Sequence, residues 1–341
     1  MQLKNDLILR AFLREQIERL EARGLQLKAA FENEFVLLQD AAPTPVDKTH
    51  FAMTGAMNRS AAVIADIADA LLAQGIEVDT YYPESAPGQQ EVSVRYTDAL
   101  SAADRQVIFR ETVRGVAAQH GLIASFMPKI VEDAAGNGCH LNLSLWRRGT
   151  NVTGDAEQST ALSAEARAFI AGILEHLDAL TAITLPTTNS FRRIRPQFWA
   201  GAFRVWGNDN REAAVRVSRG LDTKVATRFE LKTVDAAANP YRALGAVLAA
   251  GLAGLEYNLP LPDEVTLDPA LIPEQERQER RIGRLPETFG EALAALEADD
   301  VLLSALGNAR AKAYLAVKRA EWTAMQSMEL AEEVDLLLEC Y

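Results

Sequence analysis

Four stretches of this sequence place acids or a histidine where apolar strand residues are expected. Glu32-Asn33-Glu34 interrupts a run of Ala, Phe, Val and Leu over residues 29–38. Strand residues two apart share a face, so these carboxylates repel unless the face is solvated or a cation bridges them. Glu84 and Glu91 flank Ser85-Ala86-Pro87-Gly88-Gln89-Gln90, a turn sequence able to fold them back towards each other. In residues 139–145, alternation puts His140, Asn142 and Ser144 on one face and apolar side chains on the other. Glu230 alternates in the same way within Arg228-Phe229-Glu230-Leu231-Lys232. A lone histidine reads first as a structural group. Five glutamates with one histidine fit oxygen-rich coordination of Mg²⁺ or Mn²⁺.

A second constellation is cationic: Arg192, Arg193, Arg195, Arg204, Arg211, Arg216, Arg219 and Arg228, in a chain of net charge −12. Alone, these read equally as surface partners for the excess acids. Guanidinium groups also grip carboxylate and phosphate oxygens through two parallel hydrogen bonds. Carboxylates holding metal beside arginines holding anions suit phosphoryl transfer.

The elements that must carry these residues follow from periodicity. Helical spacing is expected over residues 4–22, stopping at Gly24, and in an Ala-rich stretch over 58–74. Strands are expected over 25–38, 76–82, 91–96, 123–126 and 139–145, the last two joined by a Gly-containing hairpin loop. Ser101 opens a helix reaching His120, with a capping-box pattern. Ser163 caps another of about five turns. Residues 185–235 lack helix periodicity and are rich in Arg and strand formers. Asn239-Pro240 starts a helix running to about Tyr257, residues 260–286 are irregular, and the last fifty or so are helical. The class is α+β, with strands, many of them antiparallel, against peripheral helices.

Length and composition bound the function. The 341 residues, 48% hydrophobic, support a large core. The acidic balance argues against nucleic acid and anionic membrane as partners. Cys139 and Cys340 suggest neither a disulfide framework nor a metal knuckle. No signal peptide opens the sequence, and no apolar run approaches the ~18 residues that span a bilayer. A cytoplasmic location is therefore expected. There is no G-x-x-x-x-G-K-[ST] loop, and Gly136-Asn137-Gly138 does not lead into a helix, so neither a P-loop nor a Rossmann site is expected.

Seven pieces in order resemble the glutamine synthetase family. They are Glu32-x-Glu34-Phe35, residues 84–91, Ala124–Lys129, Gly138-Cys139-His140 through Trp146, Asn189–Arg193, Asn210–Arg216, and Glu230-Leu231-Lys232 with Asp235 and Ala237–Tyr241. The resemblance implies a glutamine synthetase/guanido kinase-like catalytic domain over 1–341, a curved antiparallel sheet with peripheral helices and a helical part over 260–341. It implies an ATP-dependent ligase joining ammonia or a larger amine to glutamate through γ-glutamyl phosphate, with two or more Mg²⁺ or Mn²⁺ sites. By resemblance Glu34, Glu84 and Glu91 hold one metal, and Glu32, His140 and Glu230 another. Arg193 and Gly136 meet glutamate, Arg211 and Arg216 the ATP phosphates, and Ser144 and Arg228 the nucleotide; Arg211 and Arg193 are the expected catalytic arginines.

The sequence departs from the family at four places. The N-terminal β-grasp domain, which in the family completes the neighbouring subunit's site, is expected to be absent; the expected partners are further copies of the chain in a homo-oligomer or a protein that supplies that domain. Trp199 stands where the family's flap glutamate deprotonates ammonium; an indole takes no proton but covers an apolar or cationic amine. Lys232 replaces an arginine on the glutamate side, and Asn142 a histidine near the nucleotide. The tyrosine that some bacterial members adenylylate is also missing. The alternative function is a catalytically impaired paralogue, or a subunit of a split enzyme that binds ATP and metal.

Overall fold

A computed structural model describes residues 7–49, 51–158, 160–220 and 226–341. Ten strands form one sheet: β1 (Gln26–Leu38), β2 (Val78–Pro83), β3 (Gln89–Val94), β4 (Thr97–Asp98), β5 (Ile123–Ser125), β6 (Cys139–Arg147), β7 (Thr150–Asn151), β8 (Phe203–Asn208), β9 (Ala213–Arg219) and β10 (Ala226–Leu231). The main path runs β2-β3-β1-β6-β10-β9-β8, with β4 and β5 on β1 and β7 on β6. Every pairing is antiparallel except the edge pair β8–β9, which is parallel and joined by residues 209–212 alone.

Twelve helices are described: α1 (Leu9–Glu21), α2 (Thr54–Ala73), α3 (Ala99–Gln119), α4 (Ala164–Glu175), α5 (Leu177–Thr184), α6 (Thr188–Arg193), α7 (Pro240–Tyr257), α8 (Glu274–Glu279), α9 (Phe289–Glu297), α10 (Asp300–Leu306), α11 (Asn308–Met325) and α12 (Leu330–Leu337). The apolar α7 is central to this layer, packing against α1, α3 and α4. Residues 4–6 of the first expected helix lie outside the described residues. No described helix is long and apolar enough to cross a membrane.

Alternation along β1 and β6 separates two worlds. Leu27, Ala29, Phe31, Phe35 and Leu37 with Cys139, Leu141, Leu143 and Leu145 face the core. The one polar pair on that side is satisfied internally: Asn33 Nδ2 donates to Gln106 Oε1 at 3.0 Å, and Gln106 Nε2 returns a bond to Asn33 Oδ1 at 2.6 Å. Burying an amide is tolerable when its partners are buried with it.

Three expectations are corrected. The cap of α3 is Asp98, whose side chain accepts from Ser101 N at 3.0 Å; Ser101 lies inside the helix. β5 and β6 do not form a hairpin. Both pair antiparallel with β1, at Val36–Leu38 and Gln26–Asn33 respectively, so they run the same way and the chain between them must loop out and return. The five-turn helix breaks at His176 into α4 and α5, where His176 Nδ1 meets Asp299 Oδ2 at 2.7 Å.

Candidate active site

Sheet register assembles the acids. Glu34 lies directly opposite Glu91, and Glu32 opposite His140. Glu230 sits opposite Asn142 on one side and Arg216 on the other. Cross-strand neighbours on one face have Cβ atoms about 5 Å apart, and like charges placed so repel. The five strands β3, β1, β6, β10 and β9 thus carry one polar row across an otherwise apolar sheet. It opens into a cavity of about 770 Å³. Every residue to which the family resemblance gives a role lines that cavity except Glu230, which is 0% exposed, whereas Arg192, Arg195, Arg204 and Arg219 of the cationic constellation lie outside it.

Glu32, His140 and Glu230 converge. Each offers a ligand atom within 4.8 Å of the others', the one such group among the described residues. His140 Nδ1 is 3.2 Å from Glu32 Oε1 and 3.0 Å from Glu230 Oε1, while His140 Nε2 is buried without a hydrogen-bond partner. Burial and Lys232 push the His140 imidazole down, but the bonds to Glu230 and Glu32 prevail and its pKa is raised. Burial also opposes charge on Glu230. Lys232, His140 and Arg216 outweigh it and hold that carboxyl well below the ordinary range. Arg216 Nη2 is 2.6 Å and Lys232 Nζ 3.4 Å away. The set fits a divalent cation: two carboxylates and an imidazole brought together, with His140 Nε2 left without a partner.

The second carboxylate group is looser. Glu34 Oε2 accepts from Gly138 N and Gln89 Nε2, both at 2.9 Å. Glu91 accepts from the Tyr82 hydroxyl at 2.7 Å. Glu84 turns onto its own loop, accepting from Ser85 N at 2.7 Å and Ser85 Oγ at 2.9 Å. The three line one cavity without converging on one point. Burial, then Glu32 and Glu34, push the Glu91 carboxyl up to about 9. Burial raises Glu34 too, with Glu84 adding to it against His140. A cation bound among these carboxylates would relieve that crowding.

A loop over residues 126–138 closes the floor. Its neck is tied by Asn137 N donating to Pro128 O at 2.8 Å. Gln89 Nε2 also reaches Gly136 O and Asn137 Oδ1, both at 3.1 Å. A Cβ on Gly136 would stand 2.3 Å from Pro128 O and 2.8 Å from Arg193 Cγ, so only glycine fits. Arg193 is buried, with Nη2 donating to the Lys232 and Val234 carbonyls at 3.0 Å each and Nε unpartnered. Asn189 holds the other side of the loop. Its Oδ1 accepts from Lys129 N at 2.7 Å, and its Nδ2 donates to Lys129 O and to Glu333 Oε2 of α12, both at 2.9 Å. Glu333 also accepts from Arg192 Nε at 2.8 Å.

At one rim, Asn142 links Glu32 (Nδ2 to Oε2, 3.1 Å) with Arg228, whose Nε donates to Asn142 Oδ1 at 3.0 Å. Ser144 Oγ accepts from Trp146 Nε1 at 2.9 Å. Trp146 and Tyr96 lie with centroids 6.0 Å apart, and Lys28 Nζ stands 3.7 Å over the Trp146 ring. At the other rim Trp199, 43% exposed, meets Phe51 edge-on at 6.3 Å, and Phe51 meets Tyr82 at 6.0 Å. The Arg211 guanidinium lies 5.0 Å from the Trp199 ring.

Sequence reasoning missed Tyr82, Gln89, Tyr96, Trp146 and Phe51. Gln89 and Trp146 stood inside motifs already singled out. Phe51 had no signal, because its role depends on meeting Trp199 from far along the chain.

Comparison with known proteins agrees with this geometry. A family model described as the glutamine synthetase catalytic domain matches residues 8–336. The gamma-glutamylpolyamine synthetase GlnA3 of Streptomyces coelicolor is 42% identical over 316 residues, covering 91% of this chain and 68% of that protein. The glutamine synthetase of Thermus thermophilus is 36% identical over 340 residues, covering 97% and 75%. Among solved structures, a glutamine synthase homologue superposes with TM-score 0.87 at 33% identity, covering 98% of this chain and 75% of that one. A GmaS complex with ADP gives TM-score 0.85 at 34% identity, covering 95% and 75%. On fold, motif order and likeness over nearly its whole length, this chain belongs to the glutamine synthetase family, through its catalytic domain.

Proposed function

We propose that this chain is an ATP-dependent glutamate–amine ligase whose acceptor is a carbon-bearing amine, such as an alkylamine or polyamine, in preference to ammonia. The observation that carries the choice of amine is the aromatic group Trp199, Phe51 and Tyr82 at the rim, in the place where the family has a proton-accepting glutamate. Aromatic faces attract ammonium groups and cover apolar carbon; ammonia offers them no carbon to cover. The Streptomyces relative, a gamma-glutamylpolyamine synthetase, points the same way.

In this reading glutamate lies on the 126–138 loop, its α-carboxylate near Arg193 and its side chain towards the carboxylate row. Its γ-carboxylate attacks the terminal phosphorus of ATP, giving γ-glutamyl phosphate and ADP. The amine nitrogen then attacks the carbonyl carbon and expels phosphate. Arg211 and Arg216 neutralise the phosphate oxygens as charge moves onto them. Arg228, Asn142 and Ser144 line the nucleotide's path, and Tyr96 with Trp146 gives the base a flat stacking surface. Divalent cations held by Glu32, His140 and Glu230, and by Glu34, Glu84 and Glu91, would supply charge neutralisation and phosphate orientation. Trp199 cannot accept the amine's proton, so the amine arrives neutral or gives the proton to a cavity carboxylate.

ADP release measured with glutamate, ATP and ammonia, methylamine, putrescine or spermidine tests this reading. Higher kcat/KM for at least one carbon-bearing amine than for ammonia is expected. Turnover with ammonia alone would remove the acceptor assignment. Silence with every amine would favour the alternative, a non-catalytic ATP- and metal-binding relative.

A further inference from the structure

We propose that Glu212 is a positioning residue that sets the amine preference by fixing the backbone under Trp199. The inference rests on the aromatic rim reading above and deepens it. Residues 196–200 form a tight loop between α6 and β8. Two of its non-glycine residues, Gln197 (φ 65°) and Trp199 (φ 54°), are left-handed. Side chains bearing a Cβ visit this region rarely, and two such residues so close persist only when their surroundings hold them.

The holder is one side chain. Glu212, 7% exposed, accepts from Gln197 N at 3.2 Å through Oε2 and from Trp199 N at 3.0 Å through Oε1. A carboxylate spends both oxygens on the two strained amides. Glu212 is itself pinned: its backbone N donates to Asn210 Oδ1 at 3.0 Å, and Asn210 Nδ2 donates to Val265 O at 2.7 Å and Leu267 O at 3.0 Å. The loop's far end, Gly201, rests against Ala214 and Lys232.

Glu212 does not line the cavity, so it acts through Trp199 and not on the amine. The guanidinium of its chain neighbour Arg211 lies 5.0 Å from the indole centroid. Residues 211 and 212 therefore grip both the backbone and the ring of residue 199. Loss of the Glu212 bonds frees the loop to relax to extended φ values, and the indole leaves Phe51.

The test compares wild type with Glu212→Ala and Glu212→Gln. The amide keeps the shape and one acceptor oxygen, and serves as the folding control. Initial rates with the best carbon-bearing amine should show KM for that amine rising about tenfold or more in the Ala variant and less in the Gln variant. KM for ATP and for glutamate should stay within about twofold. Acrylamide quenching of Trp199 emission, taken as the difference from matching Trp199→Phe proteins, should increase in Glu212→Ala whichever amine is used. Unchanged quenching overturns the inference. So does a parallel rise in all three KM values. Wild type preferring ammonia, with quenching behaving as expected, would instead reject the acceptor assignment and leave Glu212 as a holder of the loop only.

Discussion

Replacing Glu230 by Gln separates a structural ion pair from a metal ligand. The amide fills the same space, so no cavity forms, but the carboxylate shared by Lys232, Arg216 and His140 is gone. Lys232 is 4% exposed and cannot recover its hydration. Breaking a buried ion pair from one side costs about 3–5 kcal/mol. At about 2–4 °C per kcal/mol for a large domain, the melting temperature should fall by roughly 6–20 °C. Metal response provides the second reading. A cation at one hundred times its Kd adds about 2.7 kcal/mol to the wild type. In Glu230→Gln that gain should largely vanish, since one of three convergent ligands has lost its charge. Thermal unfolding with EDTA and with Mn²⁺ or Mg²⁺ measures both effects. The exposed pair Glu297–Arg319 supplies a control, because Glu297→Gln should cost about 1 kcal/mol or less and keep the full metal response. A Glu230→Gln protein that melts like wild type refutes the burial argument. One that melts lower but responds fully to metal refutes the ligand assignment.

Gly136→Ala forces a contact about 1 Å inside van der Waals distance on Pro128 O, and an ångström of misplacement costs on the order of 100-fold in rate. Glutamate kcat/KM should drop by that order, with ATP KM little changed in the same assay. Trp146→Ala should raise ATP KM by about 5- to 100-fold, the range of one lost stacking contact, leaving glutamate KM unmoved. Stability of the metal-free protein should fall as pH rises from about 5 to 9. Glu91, pushed up to about 9, keeps a proton in the folded state that the unfolded chain releases near its ordinary value, so the native form binds more protons across that window. Asp235, raised to about 6 by burial, adds to the slope at its acid end. Added divalent cation should flatten the profile; a metal-free melting curve that rises over this range would contradict the crowding around Glu91.

The carboxylate row was legible because strand alternation is local: Glu32 with Glu34, and His140 with Asn142 and Ser144, fall on one face from spacing alone. Which acids face each other depends on register, and register is long-range. Glu34 opposite Glu91 could come only from the family resemblance or the sheet itself. Misreadings have the same origin. Ser101 with Asp104 looked like a capping box, but Asp98 took the cap because it is the last residue of β4, directly before the helix, and its side chain folds over the first turn to Ser101 N. Residues 123–145 read as a hairpin since nothing local reveals that both strands pair with β1 and not with each other. The parallel β8–β9 edge runs against the rule that short connections join antiparallel strands. Glu212 was overlooked inside a quoted motif because its partners are backbone amides, which carry no residue signature.

The bond between Asn189 and Glu333 spans 144 positions of sequence, and through it α12 braces the loop on which glutamate is expected to lie. Every candidate metal ligand and arginine lies before residue 233, so a chain cut short of α12 would keep all of these groups and lose the Glu333 bonds to Asn189 and Arg192. For the same reason, an affinity tag or fusion partner is better attached away from residues 330–337.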